Sequence, residues 1–152
     1  GADYVRVRRS GAGMTYDIWK LDFSWPGDAA TTDNPDQDPD HDGNTNQLEY
    51  AFGTDPLASD ILPITTTVTN HAGDDYLTLI FTRPGGANLR TDLAYRVVRS
   101  TDLTPATSTD LVSDLPSAGD PATVVTRSSS IYRSVDREFL QSAVHFTIPP
   151  AP

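Results

Sequence analysis

The sequence predicts a mainly β protein: an antiparallel β-sandwich preceded by a short helix–loop–helix module and a lone N-terminal strand. Three observations predict it. The second half breaks into short runs that alternate with period two, as in Leu77/Leu79/Phe81 against Tyr76/Thr78/Ile80 and Leu140/Ser142/Val144/Phe146/Ile148 against Gln141/His145/Thr147. The first half holds two short helical patterns on either side of the acidic stretch DPDHDGNTNQLE. Residues 3–9, DYVRVRR, alternate apolar and basic with no hairpin partner beside them. The chain then divides into an N-terminal strand and linker (1–13), the helix–loop–helix module (14–60) and the sandwich (61–152).

In chain order, Tyr4, Val5, Arg6, Val7 and Arg8 form the leading strand, and Gly11 and Gly13 end it. A chain end stays ordered only when something ties it down, so this strand is expected to pair with a sheet edge. That edge belongs to its own sandwich, to a preceding domain or to a neighbouring copy. Met14 to Phe23 reads as a short helix, with Thr15 as cap, Asp17 in the first turn, and Ile18, Trp19, Leu21 and Phe23 on an apolar side. Pro26-Gly27 stops it, and residues 28–37 read as polar linker. A second helix is expected over about 45–52, with Leu48, Ala51 and Phe52 inward and Gly53 as C-cap. Trp19, Trp25, Leu48, Tyr50 and Phe52 are expected to make a small core of their own. Strands are expected at 62–70, 75–83, 94–102, 109–114, 123–134 and 139–148, with a turn at 70–74 and breaks at Pro84-Gly85-Gly86 and 117–121.

The acidic stretch carries the chemistry. From Asp38 to Glu49 it places carboxylates at relative positions 1, 3, 5 and 12, glycine at 6 and asparagine at 9. This is the D-x-[DN]-x-[DN]-G-x5-E ligand pattern of an EF-hand-type calcium loop. Alternation turns Asp38, Asp40 and Asp42 to one concave side, and Gly43 permits the positive φ that folds the chain back. Asn44 offers its carbonyl, Asn46 ligates directly or through water, and Glu49 closes the cage with two oxygens. Asp, Asn and Gly are also ordinary turn residues, but a solvated loop has no need of all six positions together. Thr45 stands where paired loops usually carry an aliphatic residue, and no second complete loop is present, so a lone structural calcium site is expected rather than a sensor pair.

Composition bounds the function. The 152 residues carry a formal net charge of −10, which argues against nucleic acid and anionic membrane surfaces as partners. Between Asp28 and Asp60 there are eight Asp, one Glu and no Lys or Arg, so the excess charge sits where a cation would neutralise it. Lys20 is the only lysine, and Thr and Ser are abundant, a texture that suggests an extracellular bacterial protein. There is no Cys, which excludes disulfides. No apolar run approaches a membrane span. The chain starts at Gly1 without a signal peptide, which reads as a processed form or an excised fragment.

Trp19 and Phe23 followed by DPDHDGNTNQLEYAFGTDP resemble the calcium-binding module of secreted modular bacterial surface proteins, which is similar to thrombospondin type 3 repeats and dockerin half-repeats. YLTLIFTRP, AYRVVRSTDL and FLQSAVHFTIP resemble the small C-terminal β-sandwich that often follows it; together the likeness covers about residues 14–149. The resemblance implies calcium as cofactor, held by Asp38, Asp40, Asp42, Asn44, Asn46 and Glu49. It also implies a second, looser metal site at Asp36, Asp55 and Asp60. His41 departs from the pattern, standing where such modules usually carry glycine.

No enzyme is expected. His41, His71 and His145 lack metal-ligand spacing, no nucleophile elbow or phosphate loop appears, and Glu138 beside Arg137 reads as a solvated residue rather than half of a glycosidase pair. The expected function is a non-catalytic extracellular or cell-surface structural module rigidified by calcium, a self-assembling fibre subunit through its N-terminal strand. The alternative is a carbohydrate-binding or linker accessory module of a larger secreted enzyme, with Tyr76, Tyr95 and Tyr132 presenting rings to a polysaccharide. A calcium sensor comes third, because the single Met leaves no adaptable apolar groove. Partners are then further copies, neighbouring domains or polysaccharide, with no nucleic acid and no membrane insertion.

Overall fold

The computed structural model describes residues 13–100, 109–112, 119–131 and 139–146. The expected N-terminal strand, Tyr4 to Arg8, lies outside the described residues, as do Tyr132, Arg137 and Glu138. The fold is mainly β. Six strands, β1 (Ile64–His71), β2 (Asp74–Arg83), β3 (Leu93–Ser100), β4 (Thr109–Val112), β5 (Ala122–Ile131) and β6 (Phe139–Phe146), follow three short helices, α1 (Tyr16–Trp19), α2 (Ala29–Thr32) and α3 (Asn46–Phe52). Each strand overlaps one of the six runs expected from the sequence.

The strands pair antiparallel in two three-stranded sheets, in the orders β1-β2-β5 and β4-β3-β6. Alternation decides which side chains turn inward: Leu79 and Phe81 on β2, Val124 on β5, and Leu93, Tyr95 and Val97 on β3 are all buried. Phe81 stacks on Tyr95 at 6.4 Å between ring centroids, which joins the two sheets through one core. The β1–β2 hairpin turns through Ala72 and Gly73, both at positive φ (55° and 98°), the backbone of a two-residue turn whose twist matches the strands. β1 is exposed from Thr65 to Val68 and, among the described residues, has β2 as its strand neighbour.

The helical half corrects several expectations. α1 is shorter than 14–23 and passes into a 3₁₀ turn, Lys20–Asp22. Thr15 occupies the cap position without a side-chain bond; the Tyr16 N–H donates instead to Asp92 Oδ2 at 2.8 Å, from the far side of the core. Ile18 and Leu21 point to solvent, 46% and 57% exposed, because one helical turn cannot turn four apolar residues to the same side. Residues 28–37 are not a plain linker. They contain α2, and Asn46 ties the chain behind it: its Nδ2 donates to Thr32 O at 2.8 Å and Asn34 O at 2.7 Å.

Nor do the module's aromatics form a core of their own. Trp19 packs on Tyr16, Phe23, Trp25 and Tyr50 at 4.9–6.1 Å, but Phe52 meets Phe81 at 5.7 Å and Tyr95 at 6.2 Å. One cluster therefore runs from Met14 through α1 and α3 into both sheets. The entry to α1 is fixed by Met14, whose N–H donates to Leu89 O at 2.7 Å and whose carbonyl accepts Thr91 N–H at 3.1 Å. Gly13 permits this approach, since a Cβ there would stand 2.5 Å from Leu89 O.

Candidate metal centre

α3 positions the centre. Thr45 is its N-cap and accepts the Leu48 N–H at 3.4 Å, which explains a hydroxyl at that place in the loop. Gly53 ends the helix at φ 78° and donates to Glu49 O at 2.7 Å. Between the caps, Tyr50, Ala51 and Phe52 are buried in the common core, and Glu49 is fully buried beside the acidic loop.

The loop folds on its own carboxylates. Asp38 Oδ2 accepts Gly43 N–H at 3.1 Å, Asp40 Oδ1 accepts Asp42 N–H at 3.1 Å, and Asp42 Oδ1 accepts Asn44 N–H at 2.7 Å. Asp42 Oδ2 accepts the Asp60 N–H at 2.9 Å, and Asp60 Oδ2 accepts the Asp55 N–H at 3.2 Å. Each Asp thus spends an oxygen on backbone. What is left over is informative: Asp38 Oδ1, Asp40 Oδ2, Asp60 Oδ1 and both oxygens of Glu49 are buried with no hydrogen-bond partner. Buried carboxylate oxygens without partners are costly unless a cation meets them.

These oxygens converge. Asp38, Asp40 and Asp42 offer ligand atoms within 4.8 Å of one another, and Asp42, Glu49 and Asp60 do the same. Two like charges at that separation repel by about 3 kcal/mol at an effective dielectric of ~20, and residues 28–60 contain no Lys or Arg to offset them. The electrostatics follow. Burial pushes the Glu49 carboxyl up from 4.5 to about 8, reinforced by the charges of Asp40, Asp42, Asp60 and Asp38. Burial also raises Asp40, with the Asp42 charge adding to it, whereas the backbone N–H groups of Asp60 and Asn44 lower Asp42.

The structure thus brings Asp38, Asp40, Asp42 and Glu49 together, and adds Asp60 to them. Asp36 and Asp55 are exposed and belong to neither carboxylate group. Asn46 is fully buried, its Nδ2 given to the Thr32 and Asn34 carbonyls and its Oδ1 without a hydrogen-bond partner. Asn44 is half-buried in the loop. His41 is exposed and takes φ 63°, the left-handed conformation that favours glycine. The donor set suits a hard cation: oxygens alone, mostly charged.

A separate open groove of about 370 Å³ lies between Trp19, Phe52, Pro84 and Pro121. Its polar rim is already committed: Asp120 accepts Gly85 N–H at 3.2 Å and Asn88 Nδ2 at 2.7 Å, and Arg90 donates to Tyr50 O at 2.7 Å. The expected tyrosine face is corrected too, because Tyr95 is buried and its hydroxyl donates to Ala51 O at 2.6 Å. No known protein-family model, curated protein or solved structure matches this chain. Among the described residues, no helix is long and apolar enough to cross a membrane.

Proposed function

We propose that this chain is a non-catalytic, extracellular structural module, a β-sandwich with a helix–calcium loop–helix at its side, in which the bound ion supplies rigidity. The observation that carries this reading is Glu49: fully buried, both carboxylate oxygens without a partner, and faced by Asp38, Asp40, Asp42 and Asp60. Asp38, Asp40, Asp42 and Glu49 would hold the ion through side chains and Asn44 through its carbonyl, with Asn46 in support. Bound there, calcium neutralises the repulsion among them. An ion at ~100 times its Kd adds about 2.7 kcal/mol to the folded state.

Calorimetric titration with calcium, paired with thermal unfolding in calcium and in chelator, tests it. The expected result is saturable binding and a melting temperature that rises with calcium. Absence of both would remove the reading.

The proposal extends to assembly. β1 has a free side among the described residues, and the basic, alternating strand Tyr4–Arg8 of a second copy would add to such an edge by main-chain pairing, giving a head-to-tail fibre. Light scattering on the whole chain and on a variant lacking residues 1–9 decides this. Linear assemblies should form only with the strand, and assemblies that survive its deletion would count against the idea.

A further inference from the structure

We propose that Asp60, outside the acidic loop, is a direct ligand of the cation held there, so that the ion latches the segment entering β1 onto α3. The inference rests on the calcium reading above and adds to it a residue and a mechanical consequence.

Three observations support it. First, Asp60 lies 18 residues after Asp42, yet its backbone N–H donates to Asp42 Oδ2 at 2.9 Å, so main chain and side chain both arrive at the loop. Second, its carboxylate repeats the division seen in Asp38 and Asp40: Oδ2 accepts a backbone N–H from Asp55, while Oδ1 is buried without a partner. Third, its ligand oxygen falls within 4.8 Å of those of Asp42 and Glu49, and Glu49 is the fully buried residue whose two oxygens have no partner. A purely structural Asp60 would use the Asp42 bond alone and turn its charge to solvent. Instead it adds a further carboxylate to a crowded, partly buried group around the fully buried Glu49, which is favourable only when a cation sits among them.

The consequence follows from what comes next in the chain. Leu62 and Ile64 pack against the common core, and Pro63 O accepts the Thr82 N–H of β2 at 3.2 Å. An ion that holds Asp60 therefore fixes the start of β1, and the calcium loop acts on the sheet rather than on its own helix alone.

The test is calcium titration calorimetry on the whole chain as wild type and Asp60→Asn, with Asp75→Asn, an exposed residue of β2, as a control for net charge. The amide keeps an acceptor for Asp55 N–H but removes the ionic oxygen. Expected are an affinity lower by about tenfold or more for Asp60→Asn and a change below about twofold for Asp75→Asn. In chelator, Asp60→Asn should melt no lower than wild type, because a repelling charge has gone. Wild-type calcium affinity in Asp60→Asn overturns the inference and leaves the proposed function standing. Equal loss of stability in calcium and in chelator overturns it as well, by making Asp60 a structural residue. A wild type that binds no calcium overturns the proposed function itself, and the inference with it.

Discussion

Two buried carboxylates flank Tyr50, and they differ in how they are completed. Asp92, 7% exposed, accepts the Tyr50 hydroxyl on Oδ1 at 2.6 Å and the Tyr16 N–H on Oδ2 at 2.8 Å. Arg90 lies nearby, its guanidinium 4.4 Å from the centre of the Tyr50 ring. Glu49, at 0% exposure, has no donor on either oxygen and other carboxylates around it. The chain satisfies the first acid with its own groups and supplies no hydrogen-bond partner to the second. A buried charge with donors is a structural joint; a buried charge among like charges is a socket.

The sharpest way to break this comparison is to neutralise each acid in turn. Asp92→Asn replaces a charged acceptor of two buried hydrogen bonds, and the loss should be about 2–3 kcal/mol in calcium and in chelator alike. Glu49→Gln should behave in the opposite way. In chelator near pH 7 its stability matches or exceeds wild type, since the amide needs no proton taken up on folding, while the stabilisation by calcium largely disappears. Denaturant unfolding of both variants under both conditions checks this, and a calcium-independent loss in Glu49→Gln would erase the distinction.

A pH series separates the two conditions next. Glu49 has a folded pKa of about 8, above its ordinary 4.5, so the folded metal-free chain holds a proton that the unfolded chain releases. Metal-free stability from this group is therefore fully present below about pH 4.5, falls as pH rises through the interval, and levels off above about 8. Calcium requires the ionised form, so binding near pH 7 should release a proton. Titration in two buffers of different ionisation heat measures that release, and Glu49→Gln should abolish both the release and the slope.

A smaller effect belongs to the joint. The Tyr95 hydroxyl donates to Ala51 O at 2.6 Å, fastening α3 to β3. Tyr95→Phe should cost about 1 kcal/mol and leave calcium affinity unchanged, because it touches the satisfied side of the helix. A change in affinity would show that the two sides of α3 are coupled.

What the sequence disclosed follows the range of the forces involved. Gly53 ended α3 through a local backbone need, period-two alternation marked β2 and β6, and the spacing from Asp38 to Glu49 marked the loop. Each of these lies within one turn or one pleat of its cause. Asp60 reaching Asp42, Asp92 taking the place of Thr15 at the start of α1, and Asn46 fastening the turn after α2 are contacts across the fold, and no local pattern announces them. The same holds for Tyr95. Its alternation identified a strand, but the choice between the core and a sugar-facing surface was made by Phe81 and Phe52, which wall it in at 6.4 Å and 6.2 Å.

The loop itself offers the finest test of whether the socket exists before the ion does. His41 takes φ 63° at a position with nothing else to recommend a side chain, exposed and outside both carboxylate groups. Left-handed backbone costs an ordinary residue roughly 1–2 kcal/mol, while glycine adds about 0.4–1 kcal/mol of unfolded-chain entropy. His41→Gly should therefore stabilise the chain by about 0.5 kcal/mol wherever the loop holds this conformation. The backbone N–H groups of Gly43 and Asp42 donate to Asp38 and Asp40, so the loop is held by its own groups, and the gain should appear in chelator as well as in calcium. A gain confined to calcium would mean that the ion shapes the loop, and the unpartnered oxygens of Glu49 would then mark a site assembled on binding rather than one held ready.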